Sequence, residues 1–327
     1  MFNSLTIFES NLYICSSFQK NTPISSALST TSNPTSFKSI YIDFKAITKA
    51  GLAISVVFSS IAGYVLGFND LHSFSWMVLL KLAIGGYCMV GASNAYNQVI
   101  EKDLDALMDR TKNRPVASGR MSPRLALVVA SLLTILGVAL LYTINPKSAM
   151  FGAISIFLYT SIYTPLKTVT PLSVFVGAFP GAIPFMLGWV AATNEFGIEA
   201  GTLFLIQFFW QFPHFWAIGW FLYEDYEKAG FFMLPTGKKD KGTSLQIILY
   251  SVWLIIASLL PALGYTGRLF ISPVAAVLVL LLGLWVLFYA VRLYQIKTAK
   301  AARTLMLVSV SYITLLQLVY IVDKFLR

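Results

Sequence analysis

The sequence predicts an all-α, polytopic membrane protein with nine transmembrane helices. Of its 327 residues, 57% are hydrophobic and only 12% are charged, whereas a soluble domain carries about 25% charged residues. Long apolar stretches also recur along the chain. Because lipid offers no hydrogen-bonding partners to the backbone, we expect these stretches to be helices whose backbone groups bond to one another.

The apolar stretches begin after residue 49 and continue almost to the end of the chain. Most of them approach the ~20 residues that a membrane-spanning helix needs. They are residues 50–68, 77–100, 124–144, 149–165, 172–192, 201–222, 245–264, 271–292 and 303–322.

The first 41 residues differ from the rest in composition. They are rich in Ser, Thr and Asn and contain Pro23 and Pro34, so we expect a low-complexity extension without stable order. The segment lacks the basic start and apolar core of a secretory signal. Organelle-targeting segments are poor in acids and rich in Arg. Residues 1–38 are poor in acids but contain no Arg, so the sequence gives little support to organelle targeting. Residues 42–327 form the predicted membrane domain.

The basic residues predict the orientation in the membrane. With the N-terminus in the cytoplasm, the cytoplasmic loops contain fifteen Lys and Arg, whereas the opposite loops contain two, Lys147 and Arg268. This asymmetry follows the positive-inside rule. The net charge of +10 therefore indicates topology and contacts with lipid, and we expect no nucleic-acid partner.

Four oxygen-bearing side chains follow the second apolar stretch at intervals of four residues. They are Asn97, Glu101, Asp105 and Asp109. On a helix this spacing places them on one slowly drifting face, where like charges repel unless a cation binds. Carboxylate and amide oxygens suit Mg²⁺, which also binds through substrate phosphates. The spacing therefore predicts a magnesium site.

Basic residues follow these acids directly. Arg110, Lys112 and Arg114 could neutralise an anion beside the metal, so the combination predicts a diphosphate site. The alternative is a charged helix end with surface salt bridges. Lys167 is the single charge in a later loop; it could meet the same diphosphate or simply mark the cytoplasmic end of a helix.

The sixth apolar stretch is densely aromatic and ends in acids. Its Phe212 and Trp216, with Tyr163 and Tyr226 elsewhere, could shelter a carbocation, because aromatic faces attract cations. An interfacial aromatic belt is the alternative. His214 lies within the same stretch and could be a general base, a haem contact or a structural residue.

These motifs resemble those of the UbiA superfamily of intramembrane prenyltransferases. Asn97, Glu101 and Asp105, followed by Arg110 to Pro115, are similar to its first aspartate-rich motif. The segments that resemble the haem-farnesylating branch of the superfamily are 163–167, 177–184, 210–218 and 225–235. Two features depart from the general pattern. Glu101 stands where Asp is usual, and only Glu224 and Asp225 remain near the second motif.

The resemblance implies a fold of nine transmembrane helices around a central cavity. It implies an enzyme that transfers farnesyl from farnesyl diphosphate to a vinyl group of haem B and requires Mg²⁺. The product would serve haem-copper oxidases, with a haem A synthase or oxidase assembly factors as further partners. Asn97, Glu101, Asp105, Asp225 and His214 would be its catalytic residues.

Two other functions remain open at this point. Prenyl transfer to an aromatic quinone precursor would use the same diphosphate site. An ion-coupled transporter would use the acids on an ion path, although transporter sites favour the membrane midplane. We expect a multi-pass protein of a bacterial inner membrane, with the mitochondrial inner membrane as the alternative.

Overall fold

The computed structural model describes residues 37–68 and 74–327, and within them every regular element is helical. The predicted extension, residues 1–41, lies almost wholly outside the described residues. The α-helices are α1 (Phe37–Ile47), α2 (Ala50–Gly67), α3 (Trp76–Ile100), α4 (Lys102–Leu107), α5 (Pro123–Tyr142), α6 (Pro146–Phe157), α7 (Thr164–Leu166), α8 (Leu172–Thr193), α9 (Ile198–Phe221), α10 (Tyr223–Lys228), α11 (Lys241–Leu259), α12 (Pro273–Ile296) and α13 (Ala299–Leu326). A π-helix, Leu158–Tyr163, joins α6 to α7, and a 3₁₀ turn, Leu260–Leu263, ends α11.

Eight helices in the described part of the chain are long and apolar enough to cross a membrane. They are α2, α3, α5, α8, α12 and α13, together with the continuous segments Pro146–Leu166 and Lys241–Leu263. The sixth predicted stretch, residues 201–222, corresponds to α9, which has 24 residues but is not among these eight, because Gln207, Gln211 and His214 lower its mean hydropathy. The all-α membrane fold is therefore confirmed, with eight spans by hydropathy where nine were predicted.

Polar residues at the loop ends fix where the long helices begin. The side chain of Asn145 accepts a hydrogen bond from the backbone N–H of Ser148 at 2.8 Å, and Asp240 does the same for Thr243 at 2.8 Å. Such caps satisfy backbone donors that the first turn of a helix leaves unpaired. Ser75, Ser122, Ser272 and Thr298 cap α3, α5, α12 and α13 in the same way.

Helices α2 and α8 pack closely because glycines face each other. A Cβ on Gly63 would lie 2.0 Å from the carbonyl oxygen of Phe185, and one on Gly188 would lie 1.9 Å from that of Ser60. Small residues bring membrane helices together in this way.

Helix α8 also contains Pro184, whose ring nitrogen has no hydrogen to donate to the carbonyl of Pro180. The Ser155 hydroxyl donates to that carbonyl at 3.3 Å and replaces the lost bond.

Candidate active site

Asn97, Glu101 and Asp105 lie together at one end of the bundle and are buried, with exposures of 1%, 3% and 0%. Helix α3 ends at Ile100, and Glu101 is not helical (φ −95°, ψ 13°). The four-residue bonding nevertheless continues: the N–H of Glu101 donates to the carbonyl of Asn97 at 2.9 Å, and that of Asp105 to Glu101 at 2.7 Å. The three side chains therefore keep the common face that their spacing predicts.

Each buried carboxylate is held by its own cation. The ammonium of Lys167 lies 2.7 Å from Glu101 Oε1, and both side chains are buried. Arg114 Nη1 donates to both oxygens of Asp105, at 2.8 and 2.7 Å. Burial raises the pKa of Asp105, whereas the charge and hydrogen bonds of Arg114 act in the opposite direction. These basic side chains neutralise charges that would otherwise be costly to bury.

The amide of Asn97 has a defined orientation because of Thr164. The Thr164 hydroxyl donates to the carbonyl of Tyr159 at 2.8 Å, so its oxygen can only accept, and Asn97 Nδ2 donates to it at 3.3 Å. The amide oxygen of Asn97 is thereby left for another ligand. Thr164 reaches this position directly after the π-helix Leu158–Tyr163, a type of segment that is frequent at functional sites.

Asp109 and Lys112 lie apart from the buried acids. The side chain of Asp109 is 66% exposed and lies between Lys112 at 2.7 Å and Lys228 at 2.5 Å. Hydrogen bonds from Lys112 and then Lys228 lower the pKa of Asp109 to about 2. Asp109 follows the end of α4. The predicted helical register of four oxygen-bearing groups therefore includes the first three and leaves out Asp109.

Asp225 reaches the first motif from α10. Its carboxylate accepts the backbone N–H of Asp109 at 2.7 Å and that of Arg110 at 3.2 Å, and Lys228 lies 3.5 Å away. Arg110 is exposed, and its guanidinium lies 5.7 Å from the centroid of the Tyr226 ring. Asp225 therefore fixes the start of the basic loop, through the backbone of Asp109 and Arg110.

The predicted cavity aromatics separate into two groups. The Tyr163 ring lies 4.6 Å from the ammonium of Lys167, beside the buried acids. Phe212 and Trp216 are instead buried against Tyr250 of α11, with ring centroids 4.3 and 4.9 Å from it. Their packing places them in the contact between helices, so a role for them beside the acids is not supported by these contacts.

His214 lies on the part of α9 that packs against α13. Its Nδ1 is 2.9 Å from the hydroxyl of Ser309, and its ring stacks on Trp210 with centroids 4.7 Å apart. The sequence does not reveal Ser309 as its neighbour, because 95 residues separate them.

Lys49 is the site residue that the sequence analysis missed. It joins α1 to α2 in a left-handed conformation (φ 47°, ψ 57°). The side chains of Asn94 and Gln98 hold this corner by donating to the carbonyls of Thr48, Ala46 and Ile47. Burial first, then the charges of the nearby basic residues, lower the pKa of Lys49 to about 7. In the sequence it resembles any basic residue that flanks a span.

The chain matches the model of the UbiA prenyltransferase family over residues 56–314. It is 83% identical over 295 residues to the protoheme IX farnesyltransferase of Flavobacterium johnsoniae, an alignment that covers 90% of this chain and 98% of that protein. It is 74% identical over 290 residues to the enzyme of the same name from Flavobacterium psychrophilum, which covers 89% and 97%. This chain belongs to the UbiA prenyltransferase family. The relatives confirm the branch that the sequence motifs indicated, and this UbiA prenyltransferase is an enzyme.

Solved structures share the fold at low sequence identity. The bundle of this UbiA prenyltransferase matches a digeranylgeranylglyceryl phosphate synthase with a TM-score of 0.71 at 17% identity, covering 86% of this chain and 98% of that one. It also matches a UbiA homologue from Archaeoglobus fulgidus bound to GPP and Mg²⁺, with a TM-score of 0.61 at 15% identity and coverages of 85% and 99%. The ligands of that homologue are thus a divalent metal and GPP.

Proposed function

We propose that this prenyltransferase transfers the farnesyl group of farnesyl diphosphate to a vinyl group of haem B, forming haem O and diphosphate. The observation that carries the reaction class is the buried set of Asn97, Glu101 and Asp105, with Lys167 and Arg114 against its acids. The curated protoheme IX farnesyltransferases, 83% and 74% identical over nearly the whole chain, support haem as the acceptor.

The donor set fits Mg²⁺ shared between the protein and a diphosphate. Two carboxylates and the free amide oxygen of Asn97 are hard oxygen ligands, and Mg²⁺ is usually held by one or two carboxylates plus substrate phosphates. Within the described residues no cluster of three or more His, Cys, Asp or Glu could hold a metal ion alone. When bound, Mg²⁺ supplies neutralisation of the charge that develops on the departing diphosphate.

The basic residues of the site then take a second role. Lys167 and Arg114 face Glu101 and Asp105 in the free enzyme. With a cation held by the carboxylates, these two side chains would donate to the diphosphate oxygens. Below pH 7, Lys49 carries a further positive charge on the same side of the bundle. Fixed donors aimed at the leaving group are the largest contribution that such a site makes to catalysis.

The bonds change as follows. The C–O bond of farnesyl diphosphate breaks and its electron pair leaves with the diphosphate. The π electrons of the haem vinyl group form the new C–C bond to the allylic cation. Water adds to the resulting cation and loses a proton, which gives the hydroxyethylfarnesyl group. Tyr163, beside Lys167, would shelter the allylic cation.

We place the enzyme in a bacterial inner membrane with its N-terminus in the cytoplasm. The bacterial relatives and the asymmetric distribution of basic residues support this placement. Haem O would then supply haem-copper oxidases, either directly or through a haem A synthase.

Haem extraction and mass analysis test the proposal, in cells that lack haem O and with or without this protein. We expect a new hydroxyethylfarnesyl haem in cells that express the wild type and none with Asp105→Ala. No new haem, with the protein folded in the membrane, would overturn haem as the acceptor and favour an aromatic acceptor. Normal product from Asp105→Ala would overturn the metal site.

A further inference from the structure

A cavity of about 400 Å³ lies at the end of the bundle opposite the buried acids. Gly67 lines it where α2 ends, whereas Lys49, beside Glu101, precedes the start of the same helix. The 18 residues of α2 span about 27 Å, close to the ~30 Å thickness of a hydrocarbon core. The cavity therefore lies at the depth of the lipid headgroups in the leaflet opposite the buried acids.

Three basic residues line this cavity, namely Arg268, Lys324 and Arg327. The extracytoplasmic loops and the last four residues of the chain contain one other, Lys147. Because the positive-inside rule predicts few basic residues on this side of the membrane, topology does not explain why three of them surround one cavity. No acid among the described residues lines it.

The ammonium of Lys324 is fixed in place by neutral groups. It donates to the carbonyls of Val65 at 2.8 Å and Leu66 at 3.0 Å, and to that of Phe68. No carboxylate among the described residues forms an ion pair with it. Carbonyls at the end of a helix carry only a partial negative charge, so they orient the ammonium without cancelling its charge.

The two arginines are held at the cavity by single carboxylates. Arg327 Nε lies 3.1 Å from Asp323, and its guanidinium lies 3.6 Å from the centroid of the Phe270 ring. Arg268 lies 3.3 Å from Glu195, in a pair whose side chains are 44% and 70% exposed. Such an exposed pair is weak, so the cavity keeps an attraction for anions.

Trp189 supplies an independent sign of a ligand. It lines the cavity and is only 1% exposed, yet its Nε1 has no hydrogen-bond partner. Indole is a donor only, and buried polar groups in proteins are nearly always paired. The guanidinium of Arg268 lies 5.6 Å from the same ring. An anion with oxygen acceptors would satisfy this donor and the neighbouring charges together.

We propose that this cavity binds the phosphate of an anionic phospholipid from the leaflet opposite the buried acids. Its oxygens accept from Trp189 Nε1 and the guanidinium of Arg327, while Lys324 and Arg268 contribute positive charge. Basic pockets between transmembrane helices recognise lipid headgroups in this way. The site is separate from the proposed farnesyl transfer, and neither depends on the other.

The rim of the cavity favours a lipid over free phosphate, which has the same oxygens. Phe270 lines the cavity and is 49% exposed. Phe325 is 55% exposed, and its ring centroid lies 6.2 Å from that of Phe68, another lining residue. Exposed aromatic rings at this depth can pack against the upper part of an acyl chain.

Thermal unfolding of the purified full chain in dodecyl maltoside, titrated with dioctanoyl phosphatidylglycerol, tests the site. The unfolding midpoint should rise to a plateau. Arg327→Gln, at the last residue, interrupts no helix, and Trp189→Phe keeps an aromatic ring without the N–H. Each should raise the apparent Kd about fivefold. The matched control is Lys147→Gln, which removes an exposed basic residue of the same side and should bind like the wild type.

Two further ligands identify the source of the phosphate. Dioctanoyl phosphatidylcholine, which has no net charge, should bind more weakly, and inorganic phosphate should not raise the midpoint. Equal stabilisation by inorganic phosphate would overturn the lipid and leave a site for a free anion. Wild-type affinity in Arg327→Gln would overturn the cavity as the site, even if Trp189→Phe fails to fold. An equal loss in Lys147→Gln would also overturn it, because surface charge would then explain the binding.

Discussion

Two sets of ion pairs, built from the same residue types, lie at the same end of the bundle. The inner set joins Glu101 to Lys167 and Asp105 to Arg114, with all four side chains at most 14% exposed. The outer set joins Asp109 to Lys112 and Lys228, with side chains that are 46–66% exposed. Exposed pairs contribute little, whereas a buried charge that loses its partner is costly. Burial, rather than residue type, therefore separates the proposed reaction site from its rim.

The largest expected difference between the two sets is in turnover. Asp105→Asn removes a proposed metal ligand, and we expect haem O formation to fall about 10³-fold or more. Asp109→Asn makes the same chemical change in the outer set and should keep activity within about threefold of the wild type. Turnover at saturating farnesyl diphosphate measures both. Equal losses in the two variants would show that the rim takes part in the chemistry.

Stability should separate the two sets next. Lys167→Met leaves the carboxylate of Glu101 buried without its cation, and we expect a loss of about 3–5 kcal/mol in the free energy of unfolding. Lys228→Met, in the exposed set, should leave thermal stability nearly unchanged. The double variant Lys167→Met/Glu101→Gln should recover most of the loss. A Lys167→Met protein as stable as the wild type would mean that solvent reaches the pair.

The third prediction concerns Asp225, which lies beside the outer set and contacts Lys228. Asp225 accepts the backbone N–H groups of Asp109 and Arg110, so Asp225→Ala should loosen the basic loop. We expect KM for farnesyl diphosphate to rise about tenfold, with a smaller change in kcat, because two charge-assisted hydrogen bonds are lost. Glu224→Ala, which removes an ion pair with exposed Lys239, is the matched control. A fall in kcat alone would indicate that Asp225 acts on the metal instead.

The sequence predicted the inner set better than its neighbours, for a physical reason. Glu101 interrupts the helix between α3 and α4, but the backbone hydrogen bonds from Glu101 and Asp105 to the residues four positions earlier are kept. The four-residue spacing therefore still places the inner acids on one face. Asp109 lies beyond the end of α4, where spacing no longer determines direction. Lys49 and Ser309 could not be found in this way, since their roles depend on contacts between helices distant in sequence. The sixth predicted stretch, which forms α9, is not recognised by hydropathy, because polar residues inside the bundle lower its mean value.

A smaller effect is expected from the residue that orients Asn97. Thr164→Val removes the acceptor of the Asn97 amide while keeping the side-chain shape, which costs a hydrogen bond of about 0.5–1.5 kcal/mol. We expect the Mg²⁺ concentration for half-maximal activity to rise up to about tenfold. Thr164→Ser should restore the wild-type value, because it keeps the hydroxyl. An unchanged Mg²⁺ requirement in Thr164→Val would remove Asn97 from the proposed ligands.

The smallest effect is expected from Lys49, which lies beside the inner set without an ion pair among the described residues. Burial and neighbouring cations lower its pKa to about 7, so its charge is present below pH 7 and is lost as the pH rises above 7. The affinity for a prenyl diphosphate should therefore decrease from pH 6 to pH 8.5, by about fivefold if one such charge contributes ~1 kcal/mol. Lys49→Met should bind with the weaker affinity throughout and lose this dependence, whereas Lys45→Met, an exposed lysine of α1, should keep it. A pH profile of Lys49→Met that matches the wild type would assign the titration to another group.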